Sequence, residues 1–162
     1  MKDENEHVRE VYAHYGLAMY LAQCLEKSIC ILLSVETTNP KTMTKNDYDR
    51  IVKDYLTKTF GTTLKKLNKI IEIPDKLEEI LKKSVEKRNW LAHNYFWDRA
   101  SHFNREDGKN YMIKELLEMI DFFEKLDNKI SEINTNWIHK LGISEEWIEE
   151  QMKENIKNLP IA

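Results

Sequence analysis

Residues 15–35 read YGLAMYLAQCLEKSICILLSV, and this stretch decides the fold. Fifteen of its twenty-one residues are hydrophobic, and they recur at steps of three and four, as on the face of an α-helix. The pattern extends upstream and predicts a first helix from about Glu4 to Ser34. A second apolar flank consists of Leu17, Leu21, Cys24 and Ile31. A helix that is apolar on two sides packs on two sides, so we expect this one at the centre of a bundle or in a subunit interface.

The same stretch raises the question of a membrane span. Gln23, Glu26 and Lys27 interrupt it where the centre of a bilayer would penalise charge, and the first ten residues, MKDENEHVRE, are too charged for a signal peptide. Cys24 and Cys30 are too far apart on one helix to form a disulfide, and free thiols fit a reducing compartment. We therefore predict a cytoplasmic protein that does not associate with membranes.

The rest of the chain carries further helical patterns. They predict helices at about 47–59, 62–71, 75–96 and 112–133, with a loop at 99–109 and a short last helix at about 144–157. Thr44 with Asp47, and Asp75 with Glu78, are spaced as N-terminal caps, and Gly61 is expected to end a helix. With four Gly, three Pro and no strand-like alternation, the 162 residues predict a single all-α domain. We expect a bundle of five or six helices, from which the last helix is the segment most able to stand apart as an appendage.

Charge is distributed unevenly along the chain. Residues 53–88 contain ten Lys/Arg against six Asp/Glu, whereas residues 115–154 contain eleven Asp/Glu against four Lys/Arg. A basic surface on an acidic protein can still bind a polyanion, because phosphate contacts depend on the local potential. Ordinary solvated helix faces explain the same composition, so charge alone selects no partner.

Residues 86–97, EKRNWLAHNYFW, contain the side chains best suited to chemistry. On an ideal helix Arg88 falls in the middle of the apolar stripe, while Asn89 and His93 are stacked neighbours about 100° and 140° away from it. A guanidinium on a core-facing stripe is costly unless a partner satisfies it. That partner is either a structural acid such as Glu26 or a bound phosphate.

The segment RNWLAHNY, residues 88–95, resembles the signature of the HEPN superfamily, which is all-α and named for higher eukaryotes and prokaryotes nucleotide-binding. The family motif is Arg, four to six residues, then His, with a polar residue commonly after the Arg; Arg88, Asn89 and His93 match it. Tyr95 matches the His-x-Tyr extension found in toxins that are paired with nucleotidyltransferase antitoxins. In that subgroup the antitoxin attaches AMP to the tyrosine.

The resemblance implies an endoribonuclease that needs no metal or other cofactor, and it implies the toxin of a toxin–antitoxin or antiphage system. In such an enzyme the ribose 2′-OH attacks the adjacent phosphorus and leaves a 2′,3′-cyclic phosphate. His93 would move protons near neutral pH, and Arg88 would bind the charged phosphate. Asn89 would hydrogen-bond the phosphate or orient His93. Because Arg88 and His93 diverge on one helix, we expect a homodimer whose two copies share one cleft, as HEPN members do.

Several neighbouring residues are candidates for supporting roles. Lys82, Lys83 and Lys87 precede the motif by one to two turns and are predicted to follow an RNA backbone. Nearby aromatic side chains can either stack on bases or fill the core, and core packing is the more common use: Trp90, Phe96, Trp97 and Phe103. Tyr95 has the same two interpretations, a site of AMP attachment or core packing at the end of the apolar stripe.

A non-catalytic helical module that binds RNA or protein is the alternative hypothesis. In that case Arg88 is the buried partner of an acid and His93 is an ordinary surface residue. The two hypotheses differ in whether Arg88 and His93 converge on an open cleft.

Overall fold

The computed structural model describes residues 4–37, 42 and 44–140, together with isolated residues from 142 to 157. Within this part of the chain there are helices and no strands, so the all-α prediction is confirmed. The helices are α1 (Glu4–Glu36), α2 (Lys45–Leu56), α3 (Phe60–Ile70), α4 (Asp75–His93), α5 (Tyr95–Asp98), α6 (Ala100–Phe103) and α7 (Glu106–Lys140). Five are long, and α5 and α6 are single turns. The helix predicted at about 144–157 lies largely outside the described residues.

Helix α1 forms the centre of the bundle, as its apolar pattern predicts. It packs against α2, α3 and α4, and most extensively against α7. Its inner face is completely buried and consists of Val11, Ala18, Ala22, Leu25, Ile29 and Leu33. Against this face α7 places Met112, Leu116 and Phe123, which are also fully buried. The spacing of three and four residues therefore corresponds to a continuous contact between two long helices.

Helices α1 and α7 run parallel, as three side-chain contacts show. His7 lies 3.7 Å from the Glu106 carboxylate at one end of the pair. Further along, the Ser28 hydroxyl donates to Asp127 at 2.7 Å, and the Asn134 amide donates to the Ser28 carbonyl at 3.2 Å. The two parallel helices are joined by the whole of α2–α6.

The second apolar flank of α1 is only partly covered. Leu21, Cys24 and Ile31 are half-buried, whereas Leu17 is exposed. Tyr12 and Tyr20 are exposed on the same helix. By length and composition alone, Glu6–Glu36 also qualifies as a membrane-crossing helix. In this fold it packs against four other helices.

The first predicted cap is confirmed and the second is wrong. The Thr44 hydroxyl accepts from the Asp47 amide at 3.2 Å, and the Asp47 carboxylate accepts from the Thr44 amide at 3.3 Å. At α4 the N-cap residue is Pro74, whose carbonyl accepts from the amides of Leu77 and Glu78. The Glu78 carboxylate is instead occupied by Lys82 at 2.6 Å and by the side-chain amide of Asn68 at 2.8 Å.

Three predicted boundaries also differ from the structure. Gly61 does not end a helix but is the second residue of α3, because Thr59 caps that helix by accepting from the Thr62 amide. The motif helix stops at His93 rather than at Phe96, since Asn94 leaves the helical conformation with φ −128°. The expected loop at 99–109 contains α6 and the first turn of α7.

Candidate functional site

The C-terminal half of α4 carries the Arg–Asn–His motif along the side of α1. The Tyr15 hydroxyl of α1 donates to the Leu91 carbonyl at 3.0 Å, which fixes the two helices together between Asn89 and His93. Asn89 and His93 are exposed, whereas Arg88 is half-buried. His93 is the last residue of α4, and its side chain faces solvent.

Arg88 is held by one acid and by its own neighbour. Its Nη2 donates to Glu26 Oε2 at 3.3 Å, and its Nη1 donates to Asn89 Oδ1 at 3.2 Å. The Arg88 and Glu26 side chains are 27% and 16% exposed, so the pair lies at the edge of the core rather than inside it. Of the two partners that the sequence allowed for Arg88, the structure contains the structural acid.

The guanidinium is not fully satisfied by these contacts. Arg88 Nε is buried and has no acceptor among the described residues. A buried donor without an acceptor costs about 1–3 kcal/mol. The contact with Glu26 is a single hydrogen bond, whereas an Arg–carboxylate pair often forms two parallel bonds. The Arg99–Glu115 pair in the same protein does form two, at 2.9 and 2.6 Å.

Arg88 lines an open groove of ≈ 550 Å³ between α1 and the connection from α2 to α3. The groove is lined by Gln23, Glu26, Lys27, Leu56, Thr57, Lys58, Thr59 and Arg88. Lys58 is paired with Asp54 at 2.7 Å, and Lys27 has no partner among the described residues. The groove thus places three cations around the Glu26 carboxylate.

His93 is not part of this groove. The two motif residues are five positions apart on α4, so the helix turns them to different directions, as the sequence predicts. Within one chain, Arg88 and Asn89 are joined by a hydrogen bond, whereas His93 does not line the groove to which Arg88 belongs.

Tyr95 belongs to the core, which corrects its interpretation as a site of AMP attachment. The residue is 1% exposed, and its hydroxyl donates to the Met112 carbonyl of α7 at 3.3 Å. Burial, followed by the nearby Glu115 carboxylate, raises the pKa of this hydroxyl well above its usual range. The phenol oxygen cannot reach a transferring enzyme in this conformation. Of the two interpretations of Tyr95, the structure supports core packing.

The aromatic residues near the motif divide into packed and exposed groups. The Trp90 indole donates to Asp98 at 2.7 Å, and the Arg99 guanidinium lies 5.0 Å from the Trp90 ring. Phe96 and Phe103 pack against Tyr12, with centroid distances of 5.5 and 5.6 Å. Trp97 differs from these residues because it is 85% exposed. Core packing therefore describes all of the aromatic candidates except Trp97.

The three lysines predicted to follow RNA are arranged differently from one another. Lys82 is paired with Glu78, and the Lys87 ammonium lies 5.3 Å from the Phe122 ring of α7. Lys83 is exposed. The structure does not place these side chains in the groove of Arg88. Sequence reasoning missed the groove lysines Lys27 and Lys58, because they come from α1 and from the α2–α3 connection, which are distant in sequence from the motif.

Metal-ligating side chains do not gather in the described part of the chain. No group of three His, Cys, Asp or Glu residues there has the arrangement of a metal site. Cys30 is buried and Cys24 is half-buried, and both are free thiols.

Comparisons with known proteins leave the family open. No family model matches the chain, and no solved structure matches it significantly. The chain is similar to a subunit, designated E-2, of eukaryotic translation initiation factor 3 of Drosophila willistoni, with 26% identity over 121 residues. The match covers 72% of this chain and 27% of that protein, so the chain corresponds to little more than a quarter of its length.

Proposed function

We propose that the protein is a metal-independent endoribonuclease of the HEPN type, which acts as the toxin of a toxin–antitoxin or antiphage system. The observation that carries the proposal is the arrangement of the motif at the end of α4. Arg88 opens onto a groove and is hydrogen-bonded to the exposed Asn89, and His93 is exposed one turn after Asn89. A cation, an amide and a titratable group thus lie on one accessible segment.

These three residues can divide the work of RNA cleavage. The 2′-OH loses its proton to a base and its oxygen attacks phosphorus, while the bond to the 5′-oxygen breaks and that oxygen gains a proton. A histidine suits both proton transfers near neutral pH. Arg88 would stabilise the charge that develops on the phosphoryl oxygens, and Asn89, already held by Arg88, would orient the phosphate.

The unsatisfied guanidinium favours this role over a purely structural one. A buried arginine that serves only the fold is expected to have its donors paired. Arg88 instead has a single bond to Glu26 and a buried Nε without an acceptor among the described residues. A phosphate that enters the groove would compete with Glu26 for the Nη atoms, and the carboxylate would hold the guanidinium in place until then.

The divergence of Arg88 and His93 within one chain favours a homodimer. In a two-fold arrangement the same segment from each chain faces the other, and one cleft contains two copies of each residue. His93 of one chain would then lie beside Arg88 of the other. The partners of the protein would then be RNA, a second copy of the chain and an antitoxin.

Cleavage of RNA in EDTA by the purified protein tests the proposal. The His93→Ala variant should fold normally and lose cleavage by roughly 10²–10⁴-fold, because it removes the proton-transfer group. His139→Ala is the matched control, since His139 is also exposed but lies outside the motif. The products of the active protein should end in 2′,3′-cyclic phosphates. Equal cleavage by wild type and His93→Ala would reject the assignment.

A helical module without catalytic activity is the second candidate. The ion pair between Arg88 and Glu26 favours it, because such a pair can be structural. The similar protein from Drosophila willistoni is a subunit of a larger factor, which is consistent with a module that works in an assembly. Under this hypothesis Arg88→Ala would destabilise the fold while no variant affects RNA, since no RNA would be cut.

A further inference from the structure

Outside the motif, several lysines are concentrated in the sequence beside the groove of Arg88. Residues 55–71 contain four lysines and neither Asp nor Glu. These lysines lie at the end of α2 and along α3, where Lys65, Lys66 and Lys69 are exposed. In a chain with a net charge of −3, such an acid-free stretch is a local departure from the overall balance.

The groove connects this stretch to the motif. Its wall is formed by residues 56–59, and α3 begins directly after them at Phe60. The first turn of α3 also adjoins α4, since a Cβ built on Gly61 would lie 3.6 Å from the Val85 side chain, three residues before Arg88. The opposite wall contributes Lys27 of α1. The start of α3 therefore lies close both to the groove and to the helix that carries Arg88.

We infer that Lys27, Lys58, Lys65, Lys66, Lys69 and Arg88 form a basic face that binds the phosphate backbone of single-stranded RNA and leads it to the motif. This inference rests on the proposed function for its substrate, but it replaces the predicted track along Lys82, Lys83 and Lys87. Those lysines are on the motif helix and do not line the groove of Arg88.

The contacts of the basic face fit a polyanion that is bound at several points. Lys65 and Lys69 are four residues apart, so they stack about 6 Å apart along the exposed side of α3. Neither these two nor Lys27 has a partner in the described part of the chain. Lys66 and Lys58 lie near the Tyr55 ring, at 4.5 and 5.1 Å, and Lys58 is also paired with Asp54, which a bound phosphate would have to displace.

The groove can contact a nucleotide through more than its phosphate. Leu56 is exposed on its wall, and Gln23 and Thr57 add neutral polar groups. A nucleotide has charged, polar and apolar parts, and all three kinds of contact are available here. Arg88 also lines the groove, so a bound backbone would place a phosphate beside the Arg88–Asn89 pair.

Binding of fluorescein-labelled single-stranded RNA to the His93→Ala protein tests the inference without cleavage. The variant with Lys27→Gln, Lys65→Gln and Lys69→Gln should bind at least tenfold more weakly at fixed salt. Its slope of log affinity against log salt should be shallower by about 2, at roughly 0.7 per lost phosphate contact. The matched control is Lys76→Gln, Lys114→Gln and Lys129→Gln, which removes three exposed helical lysines elsewhere. This control should bind like the parent protein.

The possible outcomes test the basic face and the proposed nuclease activity independently of each other. Equal weakening in both triple variants, or in neither, would overturn the basic face even if the wild-type protein cuts RNA. Selective weakening in a protein that never cuts RNA would support the face and reject the nuclease. A polyglutamate peptide that competes as well as unlabelled RNA would overturn the assignment to RNA, because the face would then be selecting an acidic protein. Circular dichroism checks that each variant is folded.

Discussion

Tyr95 anchors a cluster of aromatic rings directly after the motif. Its ring stacks on Tyr15 at 5.7 Å and meets the edges or faces of Trp90 and Phe96 at 5.0 and 5.4 Å. Tyr15 in turn donates to the Leu91 carbonyl. The cluster therefore joins α1 to the end of α4, directly after His93.

Two substitutions of Tyr95 distinguish the contribution of its ring to stability from that of its hydroxyl. Tyr95→Phe keeps the ring and loses one hydrogen bond of 3.3 Å, so the free energy of unfolding should fall by about 0.5–1.5 kcal/mol. Tyr95→Ala opens a cavity and should cost about 3–5 kcal/mol. Urea unfolding measures both values. RNA cleavage by Tyr95→Phe should match that of wild type, and a larger loss of stability in Tyr95→Phe than in Tyr95→Ala would contradict this account.

Two buried titratable groups, the Cys30 thiol and the Tyr95 hydroxyl, predict how the stability of the fold changes at alkaline pH. Burial, followed by the Glu26 carboxylate, raises the pKa of the Cys30 thiol from 9.0 to about 11, and burial raises the pKa of Tyr95 above 10.0. Because both groups hold their protons more tightly in the folded state, their contribution is complete below pH 9.0 and is lost as the pH rises beyond that value. Urea midpoints should therefore decrease from pH 9.0 to 11. Cys30→Ala should flatten the first part of that decrease.

At the scale of the elements, the corner between α6 and α7 depends on Gly108. A Cβ at this position would lie 2.2 Å from the His102 carbonyl oxygen and 2.6 Å from the His102 Cα, which are backbone atoms that cannot rotate away. The absence of a side chain allows α7 to begin beside α6, and α6 in turn follows the motif through α5. The position of the motif is thus tied to the start of the longest helix.

Gly108→Ala should destabilise the protein strongly, by about 2 kcal/mol or more, because the corner must open to admit a methyl group. Gly16→Ala is the matched control, since Gly16 lies inside α1 and a Cβ there meets nothing within 4 Å. That control should be stabilising by up to about 1 kcal/mol, because alanine is the better helix former. Thermal unfolding followed by circular dichroism compares the two, and similar midpoints would contradict the role assigned to Gly108.

The ends of the helices show which structural features can be predicted from the sequence. The Thr44–Asp47 cap could be predicted because its two partners are three residues apart and satisfy each other. The cap at Asp75 could not, because Asn68 of α3 and Lys82 one turn later compete for the Glu78 carboxylate. The break at Asn94 was also missed, since the apolar stripe continues into the buried Tyr95 without a change of pattern.

At the scale of the whole molecule, the central helix was predictable and the surroundings of the site were not. Periodicity identifies the buried face of α1 because burial depends on the spacing of apolar residues along one helix. The groove of Arg88 is formed by α1, the α2–α3 connection and α4. These segments are far apart in the sequence, so no pattern within any one of them predicts the groove. Glu26 could be named as a partner only because a stripe arginine requires an acid or a phosphate.

The proposed shared cleft makes a prediction about mixed dimers. Arg88→Ala and His93→Ala should each be inactive alone, because each dimer then lacks both copies of one residue. If Arg88 of one chain acts with His93 of the other, a mixture of the two variants should regain cleavage once the dimers have exchanged chains. Size-exclusion chromatography with light scattering verifies that dimers form and exchange. A mixture that stays inactive although exchange is complete would contradict a site shared in this way.

The parallel pairing of α1 with α7 has a consequence for biosynthesis. His7 lies against Glu106 and Ser28 against Asp127, so each contact joins residues separated by 99 positions. At about 5–20 residues per second, the ribosome needs roughly 5–20 s to add that length of chain. Throughout this interval the nascent α1 has only α2, α3 and α4 to cover it, and the surface that Met112, Leu116 and Phe123 later occupy stays in water. Helix α1 is therefore made early within this bundle but is among its last helices to be completely enclosed, and the unfinished bundle presents chaperones with a long apolar segment.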